Sequence, residues 1–210
     1  MVVGKEEKTY YLHHSVGKTS DFLTSAIIDN GEETGTEKIK LPHVDTKSFD
    51  LYVHWLYTGT LLLTDLGKAP VDKMADHKPF ADKRYARLMH LYVLAHDILD
   101  RAFQNVLITA RLETYSQAGD IWPGISAIKI LWDRTPTGCM MKRLILRFWA
   151  HRLSSSTQSS YSMPHEFAVD LLHEMVYVRK PHGACSRPNP TKPNEYHESK
   201  AKDPTWELWF

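Results

Sequence analysis

Short runs of alternating apolar and polar residues open the chain and predict a small sheet. Residues 2–3 form a first strand, and residues 10–13 form a second, in which Tyr10 and Leu12 share a face. A third short strand follows over residues 39–41. Strands this short and few cannot bury a core of their own, so helices are expected to cover them.

Helical spacing dominates the rest of the chain. An apolar side over residues 20–28 predicts a first helix. Asp45 is suited to cap the next helix, and Gly59 is suited to end it. The buried face of that helix follows the i, i+3, i+4, i+7 rule at Phe49, Tyr52, Val53 and Leu56. A polar insertion is predicted over residues 67–83.

The longest helical pattern predicts an antiparallel hairpin of two amphipathic helices over residues 85–112, with Asp100 capping the second helix. A Trp-Pro-Gly boundary at residues 122–124 follows. Behind it, apolar spacing predicts three more helices over Ile125–Trp132, Met140–Leu153 and Pro164–Arg179.

Two stretches near the C-terminal end lack helical spacing. Residues 154–162 are rich in serine and are predicted to form a loop. Residues 180–210 are rich in proline and polar groups and are predicted to be a disordered tail. This tail ends in the apolar side chains of Trp206, Trp209 and Phe210.

The composition is that of an ordinary globular protein, with 42% hydrophobic and 24% charged residues. The formal charge of +1 supplies no strong field, so we expect neither nucleic acid nor a membrane as a partner. Two cysteines cannot build a disulfide framework and suit a reducing compartment. We therefore expect a cytoplasmic or nuclear protein, or one present in both compartments.

Several motifs, in their order along the chain, resemble those of BTB/POZ domains, especially the BTB proteins of filamentous fungi. They are Tyr10, Leu12 and His13; Ser20 and Phe22; Leu41-Pro42; Tyr57-Thr58-Gly59; and Leu91–Ala95. The resemblance assigns residues 1–115 to a BTB/POZ domain and residues 121–179 to the helical extension that often follows it. It implies an α+β fold, a small sheet capped by helices, that binds proteins and is not an enzyme.

The resemblance also implies two kinds of partner: a second BTB domain, or a cullin, for which the chain would be a substrate adaptor in a ubiquitin ligase complex. Many cullin-binding members carry a hydrophobic-x-Glu motif after the first helix, whereas this chain has Ile28-Asp29-Asn30. Leu51 and His54 lie off the buried face of their helix and are expected to look outward. The predicted partner-binding residues are Ile28, Leu51, His54 and Trp55.

Self-association is expected to be weak. Family members that swap an N-terminal segment across a dimer use residues upstream of the first strand, and this chain starts inside that strand. Gly17 also loosens the start of the first helix, by about 1 kcal/mol relative to alanine. We therefore predict a weak homodimer at most, without strand exchange.

One tripeptide supports a different class of function. Gly17-Lys18-Thr19 follows a strand and precedes a helix, as in a phosphate-binding loop of the form G-x-x-x-x-G-K-[ST]. The first glycine of that pattern falls on Leu12, which prevents the backbone from curling around a phosphate. A nucleotide-binding enzyme is therefore kept as the alternative, and a chance tripeptide is the preferred interpretation.

No metal, cofactor or catalytic residue is expected. His13 and His14 would face opposite sides of a strand and cannot share an ion. His182 and Cys185 are the tightest pair of metal-binding side chains, but a zinc site needs three or four ligands. We interpret His13 as a ring that bonds a nearby backbone group, and Cys139 as a partly buried helix cysteine.

Overall fold

The computed structural model describes most of the chain, in ranges separated by gaps. The described residues are 1–17, 20, 22–25, 39–63, 77–118, 123–152, 163–178 and 192–198. Within them the protein is mostly helical with one small mixed sheet, which confirms the predicted α+β class. None of the helices in these ranges combines the length and the apolar character that a bilayer crossing requires.

The predicted elements occur in the predicted order, and two further elements occur that were not predicted: a short helix at His14–Gly17, where His14 was expected in a strand, and a 3-10 helix at Pro193–Tyr196. The strands are β1 (Val2–Val3), β2 (Lys8–Thr9) and β3 (Lys40–Leu41). The helices are α1 (His14–Gly17), α2 (Thr46–Thr58), α3 (His77–Asp97), α4 (Arg101–Ala118), α5 (Ile125–Arg134), α6 (Met140–Arg152) and α7 (His165–Val178), followed by a 3-10 helix at Pro193–Tyr196. Residues 22–25 are also helical, and the remainder of the predicted helix over 20–28, apart from Ser20, lies outside the described residues.

β1 is the central strand of the sheet, which has the order β2-β1-β3. It pairs antiparallel with β2, with Val3 opposite Lys8, and parallel with β3, with Val3 opposite Leu41. The turn between β1 and β2 contains Gly4 at a φ of +76°, and an added Cβ there would lie 2.8 Å from Cγ2 of Thr46. Glycine is therefore needed where the strand hairpin meets α2.

The second strand is displaced from its predicted position. We predicted it over residues 10–13, and the paired residues are Lys8 and Thr9. Tyr10 still bonds Met1 through its backbone N–H, at 2.7 Å, but the chain then leaves the sheet, so Leu12 is not a strand residue. The prediction was wrong because the apolar character of Tyr10 reflects its ring packing edge-on against Phe49, with centroids 4.8 Å apart, and not a strand alternation.

α2 has the predicted bounds and caps. The side chain of Asp45 accepts the backbone N–H of Ser48 at 2.9 Å. Gly59 adopts the left-handed conformation, with a φ of +67°, and its N–H donates to the carbonyl of Trp55. Phe49 and Tyr52 are fully buried, so the predicted face does point into the core.

α3 and α4 pack against each other across a short turn, as predicted, and Asp100 accepts the backbone N–H of Phe103 at 3.0 Å. α3, however, begins at His77, inside the stretch that we predicted as a polar insertion over 67–83. Pro79 favoured that interpretation. It is tolerated because it lies in the first turn of the helix, where backbone N–H groups have no acceptor within the helix. Residues 64–76 lie outside the described residues.

The three helices predicted behind residue 122 are confirmed as α5, α6 and α7. α5 and α6 are joined by Lys142, whose buried ammonium donates to the carbonyl of Thr135 at 2.7 Å, at the C-terminal end of α5. Trp132 of α5 donates to Asp170 of α7 at 2.9 Å. One contiguous core of buried residues runs from β1 and α2 through these helices.

The last described segment departs from the predicted disordered tail. Residues 192–198 form a 3-10 helix and a short extension, and Tyr196 is only 1% exposed. The prediction was wrong for this segment because its composition is polar while its position places one aromatic ring in the core. The serine-rich stretch over 154–162 and the rest of the predicted tail lie outside the described residues.

Candidate partner-binding surface

Three of the four predicted partner-binding residues lie on α2. Leu51, His54 and Trp55 are each half-buried, and Ile28 lies outside the described residues. Leu51 was expected to look outward, but it packs in part against the core. His54 is adjacent to Thr58, whose hydroxyl donates to the His54 carbonyl at 2.8 Å.

The half-buried ring of Trp55 packs against core residues of α2 and α4. Its ring centroid lies 4.7 Å from that of Phe103 on α4 and 6.0 Å from that of Tyr52. Tyr57, two residues further along α2, is 44% exposed. The aromatic residues of α2 are therefore divided between the core and the surface.

The exposed aromatic residue Tyr57 holds the segment that follows β2. Its hydroxyl accepts the backbone N–H of His13 at 3.0 Å and lies 3.2 Å from His13 Nδ1. The two rings meet edge to face with centroids 5.8 Å apart. We interpreted His13 as a ring that bonds a backbone group, and its described partner is instead a side chain.

Tyr11, two residues before His13, is 92% exposed. We define the α2 surface as the side chains of Tyr11, His13, His54 and Tyr57. Sequence reasoning missed both tyrosines, because it placed Tyr11 in the predicted strand over 10–13 and considered Tyr57 only as part of the Tyr57-Thr58-Gly59 motif. The signal that could have found Tyr57 is its position outside the i, i+3, i+4, i+7 set that begins at Phe49.

A buried hydrogen-bond network attaches α2 to the core. The Tyr52 hydroxyl donates to Asp100 at 2.7 Å and lies 3.1 Å from the hydroxyl of Ser20. Burial first, and then the negative charge of Asp100, raises the pKa of Tyr52 far above its ordinary value. The network connects α2 to the start of α4 and to the residues around Ser20, so it fixes the position of the α2 surface on the core.

The strand hairpin is attached to the other side of α2. Asp50 accepts from Lys8 Nζ at 2.8 Å and from the Tyr10 hydroxyl at 2.7 Å. The hydrogen bond to Asp50 is the main reason why the pKa of Lys8 is raised. This ion pair is exposed, so its main effect is to position the hairpin.

The described residues contain little that resembles reaction chemistry. Gly17 ends α1, and the other two residues of the Gly17-Lys18-Thr19 tripeptide lie outside the described residues. Cys139 is buried beside Thr135, and burial raises the pKa of its thiol, which lowers the fraction of reactive thiolate. In the described ranges no three His, Cys, Asp or Glu side chains are grouped so that they could hold a metal ion. His182 and Cys185 lie outside those ranges.

The α2 surface carries two exposed tyrosines, Tyr11 and Tyr57. Tyrosines combine a large apolar area with a polar tip, and they are enriched where proteins bind each other. No family model, curated protein or solved structure matches this chain. The function proposed for it therefore depends on its motifs and on its geometry.

Proposed function

We propose that the chain is a protein-interaction module with a BTB/POZ-type fold and that it acts without catalysis. The observation that carries the proposal is the order of its elements. A strand hairpin is followed by a third strand parallel to the first, then by α2 and by the packed pair α3 and α4. Three of the motifs that resemble the family, Leu41-Pro42, Tyr57-Thr58-Gly59 and Leu91–Ala95, lie at β3, α2 and α3 in the same order, whereas the motif of Tyr10, Leu12 and His13 follows β2.

The α2 surface is the proposed contact site. It combines the exposed Tyr11 and Tyr57 with the half-buried His54, and a buried network holds α2 in place. A rigid support of this kind lowers the entropy lost on binding, because the surface is already ordered before the partner arrives.

The proposed partner is a protein, either a cullin or a second BTB domain. With a cullin, the chain would bring substrates to a ubiquitin ligase. The tripeptide Ile28-Asp29-Asn30 lacks the glutamate found in many cullin-binding members, which counts against the cullin. With a second BTB domain, we expect weak association at most.

Titration with purified proteins tests this function. The full chain is titrated with the N-terminal domain of a cullin by calorimetry, and its self-association is measured by sedimentation at micromolar concentration. Tyr11→Ser combined with His54→Glu should weaken any observed association at least tenfold, because it removes an exposed ring and adds a charge. Leu172→Ser, on the exposed side of α7 and 62% exposed, is the matched control and should have no effect.

The enzyme alternative is tested on the same samples. Under the proposal, ATP with magnesium does not raise the melting temperature of the chain and is not hydrolysed. Nucleotide hydrolysis that Lys18→Ala abolishes would contradict the proposal.

A further inference from the structure

The segment Lys192–Glu198 occupies a groove between α4 and α6, far along the chain from both helices. Tyr196 is its anchor: the side chain is 1% exposed and belongs to the core. The guanidinium of Arg147 on α6 donates to the Tyr196 hydroxyl at 3.3 Å and lies 5.8 Å from the ring centroid. The groove therefore contains a pocket for an aromatic ring with a donor at its far end.

Asn105 on α4 holds the main chain of the same segment. Its side-chain oxygen accepts the backbone N–H of Glu198 at 2.6 Å, and its side-chain nitrogen donates to the Glu198 carbonyl at 3.3 Å. An amide that bonds both backbone groups of one residue can hold any extended chain at that position, because every residue except proline offers the same pair of groups.

The carboxylate of Glu198 is the second anchor. It accepts the hydroxyl of Tyr92 and, at 2.9 Å, the backbone N–H of Met140 at the first residue of α6. A helix N-terminus favours a negative charge, and Tyr92 is itself buried. His197, between the two anchors, places Nε2 3.0 Å from the hydroxyl of Thr109.

We propose that this groove is a peptide-binding site for an extended segment with the pattern Tyr-x-Glu, that residues 193–198 occupy it in cis, and that a partner protein's Tyr-x-Glu segment takes their place. The proposal goes beyond the function given above, since it uses a different surface and does not require a BTB identity. Each part of the pattern corresponds to a group in the groove. The tyrosine ring fits the pocket that ends at Arg147. The Asn105 amide holds the main chain, and the Tyr92 hydroxyl and the Met140 N–H donate to the glutamate carboxylate.

The chain's own segment then acts as a competitor. It belongs to the same chain as the groove, so its binding is intramolecular and its effective concentration there exceeds that of a partner free in solution. A partner peptide of micromolar affinity therefore binds the intact chain far more weakly than a chain whose own segment has left the groove. Partner binding at this site is controlled by release of the tail.

The experiment cuts the tether and keeps every contact residue. A protease recognition sequence is inserted between residues 186 and 187 of the full chain, and the protein is cleaved after purification. A fluorescent peptide with the sequence of residues 192–199 is then added, and binding is followed by anisotropy. We expect saturable binding to the cleaved protein after its own fragment is washed away, and binding at least tenfold weaker to the uncleaved protein.

Variants separate the anchors. Peptides with Tyr196→Ala or Glu198→Gln should bind at least tenfold more weakly. Tyr92→Phe in the protein should reduce binding of the parent peptide and not of a Glu198→Ala peptide, because alanine has no side-chain oxygen to accept the Tyr92 hydroxyl. Asn105→Ala should weaken all peptides by a similar factor, as expected of a main-chain clamp.

The partner chemistry is tested by panning a random peptide display library against the cleaved, fragment-depleted protein. Enrichment of Tyr-x-Glu sequences supports the proposal, and enrichment of no consensus or of an unrelated one overturns it. The proposal is also overturned if the cleaved protein loses its helical circular dichroism when the fragment leaves, since the segment would then be an integral part of the core. The proposal is likewise overturned if the labelled peptide does not bind a cleaved protein that has lost its own fragment and is still folded.

Discussion

At the residue scale, the side chain of Asp100 connects α2 to α4. One of its oxygens caps α4 at Phe103, and the other accepts the hydroxyl of Tyr52 on α2. The sequence predicted the cap, because aspartate in front of an amphipathic run is a common helix start. It could not predict the second bond, since no local pattern relates Asp100 to Tyr52 in a different helix.

Replacing Asp100 by alanine should lower the free energy of unfolding by about 2–4 kcal/mol. The lost cap accounts for roughly 1 kcal/mol. The rest comes from the buried Tyr52 hydroxyl, which loses its carboxylate acceptor and keeps only the hydroxyl of Ser20, at 3.1 Å. Urea denaturation measures the change. Asp97→Ala is the matched control: Asp97 meets Arg134 at the surface, at 3.2 Å, and its removal should change stability by less than about 1 kcal/mol. Equal effects of the two substitutions would contradict this role of Asp100.

Gly59 is needed for its backbone conformation and not for lack of space. Its φ is +67°, and a Cβ added there would meet nothing within 4 Å. Gly59→Ala should therefore destabilise the protein by about 1–2 kcal/mol through left-handed strain alone. The control is Gly124→Ala at the start of α5, where φ is −61° and alanine fits the backbone. Thermal unfolding compares the two, and an unchanged melting temperature for Gly59→Ala would contradict the strain argument.

At the scale of elements, the longer helices and the first and third strands were predictable, and the position of the second strand was not. Each of α2, α5, α6 and α7 carries a complete apolar period, so its residues define its bounds without help from the rest of the fold. The strands have two residues each, so tertiary packing and not the local pattern decides which residues pair. Tyr10 lies outside β2, and its ring packs against Phe49. His54 of the α2 surface was predicted, but the contact between Tyr57 and His13 was not, because it joins residues 44 positions apart.

The docked segment at 192–198 shows the same limit. Its composition indicates a tail, and only the distant side chains of Asn105, Tyr92 and Arg147 give it a fixed place. Sequence reasoning of the local kind has no access to those partners.

Docking of this segment should weaken in mild acid. Burial lowers the pKa of His197, which bonds Thr109 and precedes Glu198, so the docked state favours the neutral ring. The free segment binds a proton more readily, and docking is therefore intact above the ordinary histidine pKa of about 6.5 and weakens as the pH falls below it. Peptide affinity for the cleaved protein at pH 7.5 and pH 5.5 measures this. A His197→Gln peptide should remove most of the difference, and a pH dependence that is unchanged by this substitution would contradict the assignment.

At the scale of the whole molecule, one core joins the sheet, the hairpin of α3 and α4 and the three following helices. The two binding sites proposed on the described surface differ in their chemistry. The α2 surface presents aromatic rings and imidazoles, and the groove between α4 and α6 presents donors for a tyrosine and a carboxylate. Under the proposed function, the first would hold the partner and the second would respond to release of the tail.

Quantitative affinity capture tests the central claim most directly. The tagged full chain, the Tyr11→Ser and His54→Glu double variant and the Leu172→Ser control are expressed at equal levels, and captured proteins are identified by mass spectrometry. The account predicts that a cullin or a BTB-domain protein is captured by the parent chain and the control and is lost from the double variant. Capture of the same proteins by all three chains, or of neither class by the parent chain, would contradict it.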